Sequence, residues 1–438
     1  MILGDLNGDF MTRRHAAATF LVLAACSARP IVGTTGTNAP STPSRFLYVW
    51  AGDKDEKESD FLAVVDVRRD SPTYGQVLNT VPVGMSGTLP HHLEYALPPN
   101  GQTLYANGHH HEQIFRFDIS DAEHPKLVGT AEAASPFRYP HDFARLPDNS
   151  LLVGYLRSDG RSPALGDSLV PGNHGGVVHM SADGRILRKT SAADPKLTDP
   201  FRAYAFAVLP NIDRFVLTSA PMMEDFSANA VQIWRLSDLT RLQTLMVPPA
   251  RLPDGRTLAM GHTLPFEPRV MPDGSVLLST YGCGFYRITN IASTAEIHNV
   301  YTIDIPTDRV PAGRRAACGV PVVHSHYWVM SVGRLNMLVT LDISDPDHLR
   351  EVSRLLADST FRPHWMAKDP GSDRIIVGAE NGGESRMLMA RLDPSTGRLS
   401  WDETFRSSDG ALGVSFVRQH WPHGDSGEAF GHAALFRP

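Results

Sequence analysis

A short apolar strand, a turn built on Pro with Asp, Asn or Gly, and a strongly β-prone strand recur along this chain, and the recurrence leaves few folds open. The clearest copies are HLEYALPPNGQTLYANG from His92, HDFARLPDNSLLVGY from His141 and YAFAVLPNIDRFVLTSA from Tyr204. FEPRVMPDGSVLLSTYG from Phe266 and HWMAKDPGSDRIIVGAE from His364 continue the series, and CGVPVVHSHYWVMSVG from Cys318 is a degenerate copy. A third apolar strand follows each pair, as in QIFRFDISD from Gln113 and MLVTLDISDP from Met337, and a fourth usually follows that. Four strands per unit, repeating every ~50 residues, describe the blade of a β-propeller.

Six units are complete. Residues 46–84 offer three more strands, FLYVWAG, FLAVVDV and QVLNTVPVG, with no inner strand before them, and the C-terminal GHAALF supplies one. The expected fold is therefore all-β, a seven-bladed β-propeller over residues 45–438 closed by the N- and C-terminal strands. Closing the ring with both chain ends removes the open edges that a linear stack of blades would leave. The 36 Gly and 33 Pro suit a chain with many turns, and 42% hydrophobic residues supply a large core. A net charge of −6 argues against a nucleic-acid partner.

Residues 1–44 read differently. Met11 is the better start: Arg13 and Arg14 form a positive region, and Ala16 to Ala25 form an apolar run of signal-peptide length. That run is too short to span a bilayer. Leu23-Ala24-Ala25-Cys26 resembles a bacterial lipoprotein box, with a plain cleaved signal as the alternative. Cys26 to Ser44, rich in Ser, Thr, Pro and Gly, reads as a flexible tether. The expectation is an exported protein, periplasmic or held to the outer membrane by a lipid on Cys26, with no other membrane contact. Export leaves Cys283 and Cys318, in neighbouring blades, able to pair in an oxidising compartment.

Aligned on the turn proline, the inner strands share a register. His92, His141, His364 and His432 each lie six residues before a Pro, and Tyr204 and Phe266 hold the same position in two other blades. Cys318 occupies it approximately in the degenerate unit. Inner strands line a propeller's channel, so these side chains converge at one mouth. Four neutral imidazoles there suit copper, iron, zinc or nickel. Tyr204, Glu267 and Cys318 would complete the circle, Glu267 as an acceptor fixing an imidazole tautomer and Cys318 as a soft ligand if its thiol is free. His91, His174 and His324 are further candidates. The loop with His109, His110 and His111, and the long loop from about Ser158 to Gly175, open on the same face as a wall and lid; exposed polar loop residues are the plainer reading of the triple His. Packing and turn preference are the plainer reading of the register histidines.

LPHHLEY at 89–95, YPHDF at 139–143, FEPRVMPDGSVLLSTYGCGFYRITN at 266–290, LVTLDISDPDHLREV at 338–352 and RPHWMAKDPGSDRIIVGAENG at 362–382 together resemble the selenium-binding protein family, which includes bacterial methanethiol oxidase. The resemblance implies a copper-dependent oxidase using O2 to convert a small thiol such as methanethiol into formaldehyde, hydrogen sulfide and hydrogen peroxide. By position, His91, His92, His141 and His364 match the family's histidine-bearing motifs. Two other readings stand beside it: a four-histidine non-haem iron oxygenase, and a non-catalytic surface lipoprotein that binds a ligand or partner. Fold alone does not separate them. No nucleophile elbow or phosphate-binding Gly loop supports a hydrolase or nucleotide enzyme.

Overall fold

The computed structural model describes residues 42–97, 101–158, 174–220, 228–306, 310, 316–380 and 384–438. The signal and lipid-box expectations, and the lid from 159 to 173, lie outside the described residues. The described chain forms seven antiparallel sheets, with two short 3-10 turns as the only helical elements among those residues. Blade 1 is the closing blade: Gly427–Arg437 pairs with Phe46–Asp53, followed by Phe61–Asp66 and Val77–Pro82. The inner strands of blades 2 to 7 are Pro90–Leu93, Arg138–Arg145, Ala203–Leu209, Pro265–Val270, Val322–His324 and Pro363–Lys368. The expected seven-bladed propeller, its closing blade completed from both ends of the chain, is what the chain builds.

Apolar residues on both faces of the second and third strands pack blade against blade. Trp50 of blade 1, fully buried, lies 5.6 and 5.9 Å from the rings of Phe115 and Phe117 in blade 2. The outermost strands instead alternate, as in Lys126–Thr130, and present one face to water. Ser44, at the end of the expected tether, is buried: its backbone N–H and hydroxyl donate to the Asp369 carboxylate at 3.1 and 2.8 Å. The chain is thus fixed to blade 7 one residue before the expected boundary.

Cys283 and Cys318 form a disulfide with Cα atoms 5.3 Å apart, joining blades 5 and 6. This corrects the expectation of Cys318 as a soft ligand, since a half-cystine has no thiolate to give. The pairing open in the sequence is realised, and both residues are buried.

One irregularity recurs and places the site. In blade 2, Pro90 pairs with Gly108 and Leu93 with Ala106, so three steps on the inner strand match two on its partner. Blade 3 repeats this at Pro140 and Phe143, blade 4 at Ala203 and Phe206, and blade 7 at Pro363 and Met366. Blades 1 and 5 carry the same extra residue, at His432 and Phe266. Each slip is a β-bulge at the register that the turn prolines marked. Bulges re-aim side chains that a regular strand would send to alternate faces.

Candidate metal centre

His91 and His92 are adjacent in sequence, so an unbroken strand would point them in opposite directions. The blade 2 bulge brings both to one place. Their ring centroids are 4.6 Å apart, and His141 of blade 3 lies 5.1 Å from His91 and 4.0 Å from His92. One nitrogen from each of the three lies within 4.8 Å of the others. His432 stacks on His91 at 4.4 Å. His364 is next outward, 5.2 Å from His432, with Glu380 the nearby carboxylate.

The backbone fixes two tautomers. A carbonyl only accepts, so Nδ1 of His141, 3.0 Å from the Tyr204 carbonyl, carries the hydrogen. Nδ1 of His432 likewise donates to the His91 carbonyl. In both rings Nε2 keeps its lone pair, the form a metal needs. Nδ1 of His92 is 3.4 Å from the Tyr95 hydroxyl and 4.0 Å from an Asp142 oxygen.

Among the described residues, several buried ring nitrogens then have no hydrogen-bond partner: both of His91, and Nε2 of His92 and His141. Each buried, unmade hydrogen bond costs about 1–3 kcal/mol. Four of them would consume much of the ~5–15 kcal/mol by which a domain is stable, so packing alone explains this arrangement poorly. Burial, then the neighbouring imidazoles, hold His91, His92 and His141 far below the usual imidazole value, and they are neutral at pH 7. Converging, neutral and unpartnered nitrogens fit a transition-metal ion.

Around this group, Trp365 meets His92 edge-on at 4.9 Å, and Tyr95 stacks on Trp365 at 5.1 Å. The Tyr95 hydroxyl donates to Glu267 at 3.1 Å, and Arg269 donates to the same carboxylate at 3.0 Å. Glu267 therefore faces the histidines through Tyr95 and does not bond an imidazole directly. Tyr204 covers His141 at 3.8 Å and continues through Phe266 to Tyr281 as an aromatic wall.

No family model matches the chain. Two curated proteins do. A methanethiol oxidase of Hyphomicrobium is 27% identical over 235 residues, 48% of this chain and 49% of that protein. A methanethiol oxidase of Ruegeria pomeroyi is 31% identical over 156 residues, 32% of this chain and 31% of that protein. A selenium-binding protein from Sulfolobus tokodaii superposes with a TM-score of 0.69 over 90% of this chain and 94% of its own, at 17% identity, so the fold is shared. The chain is a distant relative of the selenium-binding protein and methanethiol oxidase family. The matches span half or less of the length of these methanethiol oxidases.

The segments that resemble the selenium-binding protein family, LPHHLEY, YPHDF and RPHW, carry His91, His92, His141 and His364, and all four stand at this mouth with His432. Two other candidates do not join them. His174 accepts a hydrogen bond from the Phe201 amide at 3.0 Å, between blades 3 and 4. His324 ends the blade 6 inner strand, where its charged neighbours are Asp373 and Lys368, the latter at the far end of the strand Pro363–Lys368 from His364. His109 belongs to the loop expected as a wall, and for this residue the plainer expectation of an exposed polar loop does not hold. It is buried, 5.6 Å from His91, while His110 and His111 are more exposed. Its place directly after strand Thr103–Gly108 was the available signal.

Acid should weaken the metal-free protein in a defined window. Burial holds His109 at about 4 and His432 at about 3, below the ordinary value near 6.5. Between these limits these histidines bind more protons in the unfolded chain than in the folded one, so their contribution to stability falls as pH drops from about 6.5 towards 4. Thermal midpoints of the apo-protein across that range should decline steadily; midpoints independent of pH would show that these imidazoles are not buried neutral.

Proposed function

We propose that this protein is a copper-dependent oxidase of a small thiol such as methanethiol. The carrying observation is the set of buried, neutral, unpartnered imidazole nitrogens on His91, His92 and His141. These three would hold the ion, with Nε2 of His432 beside them and His364 outermost. Bound there, copper supplies the one-electron chemistry that couples a thiol to O2. The net reaction is methanethiol, O2 and water giving formaldehyde, hydrogen sulfide and hydrogen peroxide.

The protein's own groups have separable roles in this reading. Tyr204, Phe266 and Tyr281 give an apolar wall that suits a small apolar thiol and excludes water. The Nδ1–H donations from His141 and His432 keep both rings ligating. Burial, then the nearby Glu267, push the Asp142 carboxyl well above its usual range. It is a group beside His92 able to hold a proton. A charged cleft of about 800 Å³, lined by Lys54, Arg362, Glu380, Arg386 and Glu428, adjoins His364 through Glu380 and serves as the approach. The Cys283–Cys318 disulfide favours an oxidising compartment, in keeping with export.

The test is oxygen uptake by copper-loaded protein given methanethiol, with formaldehyde and peroxide measured together. Equal amounts of both, tracking O2 loss, are expected. Uptake only after iron loading would instead favour the iron oxygenase, and no uptake with either metal would leave a binding protein.

A further inference from the structure

We infer that Asn107 is the positioning residue of the histidine site: one carboxamide fixes both bulges that aim His91, His92 and His141. It rests on the metal reading above and adds to it a residue that meets no ligand. Asn107 is fully buried, next to last on strand Thr103–Gly108. Its Oδ1 accepts from the backbone N–H groups of His91 at 3.2 Å and His92 at 2.6 Å. Its Nδ2 donates to the carbonyls of Pro140 at 2.8 Å and His141 at 3.2 Å, in the next blade. Two donors on one side and two acceptors on the other fix the orientation of the amide.

The need follows from the bulges. An extra residue takes backbone groups out of the ladder, and a buried backbone group without a partner costs about 1–3 kcal/mol. Asn107 satisfies four such groups at once and ties blade 2 to blade 3 at the point where their histidines meet. The same strand position is used elsewhere with less reach. Thr218 accepts from the Ala205 N–H at 3.2 Å and donates to the Phe266 carbonyl at 2.8 Å, and Ser331 donates to the His364 carbonyl at 2.9 Å. A hydroxyl has a single hydrogen to give. Only a carboxamide spans a bulge with two histidines and a neighbour with a third. The Trp50 indole N–H donates to the Asn107 carbonyl at 2.7 Å, anchoring the residue to blade 1 as well.

The experiment is a competitive titration of the apo-protein with copper(II) chloride, with the copper EPR spectrum recorded for each variant. Asn107→Ala and Asn107→Asp are expected to lose about 10–100-fold in copper affinity, the usual scale for groups that orient ligands, and to show altered EPR parameters. Asn107→Ser, which keeps one hydroxyl, should recover part of the loss and carries the test if the other variants do not fold. Thr218→Val is the control: it removes the equivalent latch where no histidine sits and should lower thermal stability with copper affinity unchanged. Wild-type affinity and spectrum in folded Asn107→Ala or Asn107→Ser would overturn the inference alone. Equal copper loss in Thr218→Val would also overturn it, by making the effect a general loosening. A wild-type protein that binds no copper would overturn the metal reading and this inference with it.

Discussion

Replacing His92 with alanine is expected to lower copper affinity by more than about 100-fold, beyond the range typical of groups that only orient ligands, and to abolish thiol oxidation. His92 is fully buried, 4.0 Å from the His141 ring, and its Nε2 has no hydrogen-bond partner among the described residues. Its loss removes a ligand and leaves Asp142 and the Tyr95 hydroxyl facing a hole that a methyl group cannot fill. His91→Ala and His141→Ala should behave alike. His174→Ala and His324→Ala should keep wild-type affinity, because those residues lie away from the group. A chelator-competition titration reads all five, and wild-type affinity in His92→Ala would remove His92 from the site.

The second large effect is on stability. Asp369→Ala should cost about 3–5 kcal/mol, the range for breaking a buried ion pair by deleting one partner. Asp369 and Arg374 are fully buried, 2.6 Å apart. Arg374 also donates to the carbonyls of Val67 and Ser44, and Asp369 accepts from the Ser44 amide and hydroxyl. The pair therefore fastens the start of the propeller chain to blade 7, and its loss strands a guanidinium against that seam. Burial alone would raise the Asp369 carboxyl, but hydrogen bonds from Ser372, Arg374 and Ser44 outweigh it and hold the carboxyl below its usual range. A depressed carboxylate contributes stability above its unfolded value, near 4, and loses it as pH falls through the folded one. Denaturant melts should show the full deficit at pH 7 and a smaller one in acid. An equal deficit at both would mean that cavity formation, not charge, sets the cost.

The ring was readable because turn chemistry is local. Pro with Asp, Asn or Gly sets each hairpin whatever surrounds it, and counting hairpins exposed the missing strand that Gly427–Arg437 provides. The histidine register was readable for the same reason, since residues a fixed distance before a turn stand at one height. What escaped depends on tertiary detail. His91 was a candidate outside the register, and its place beside His92 needs the extra residue between Pro90 and Leu93, since a regular strand would send the two to opposite faces. Tyr95, Asp142, Trp365 and Asn107 carried no pattern of their own, because their importance lies in contacts across blades. Cys318 fitted the register but its partner was decided by the neighbouring blade.

The histidine metal centre is tested most directly by the metal content and copper-edge X-ray absorption spectrum of the purified protein. About one copper per chain, surrounded by imidazole nitrogens, is expected, as suits neutral histidine ligands. Protein that takes up no transition metal, or that keeps a full equivalent when His91, His92 and His141 are all replaced by alanine, would contradict that centre.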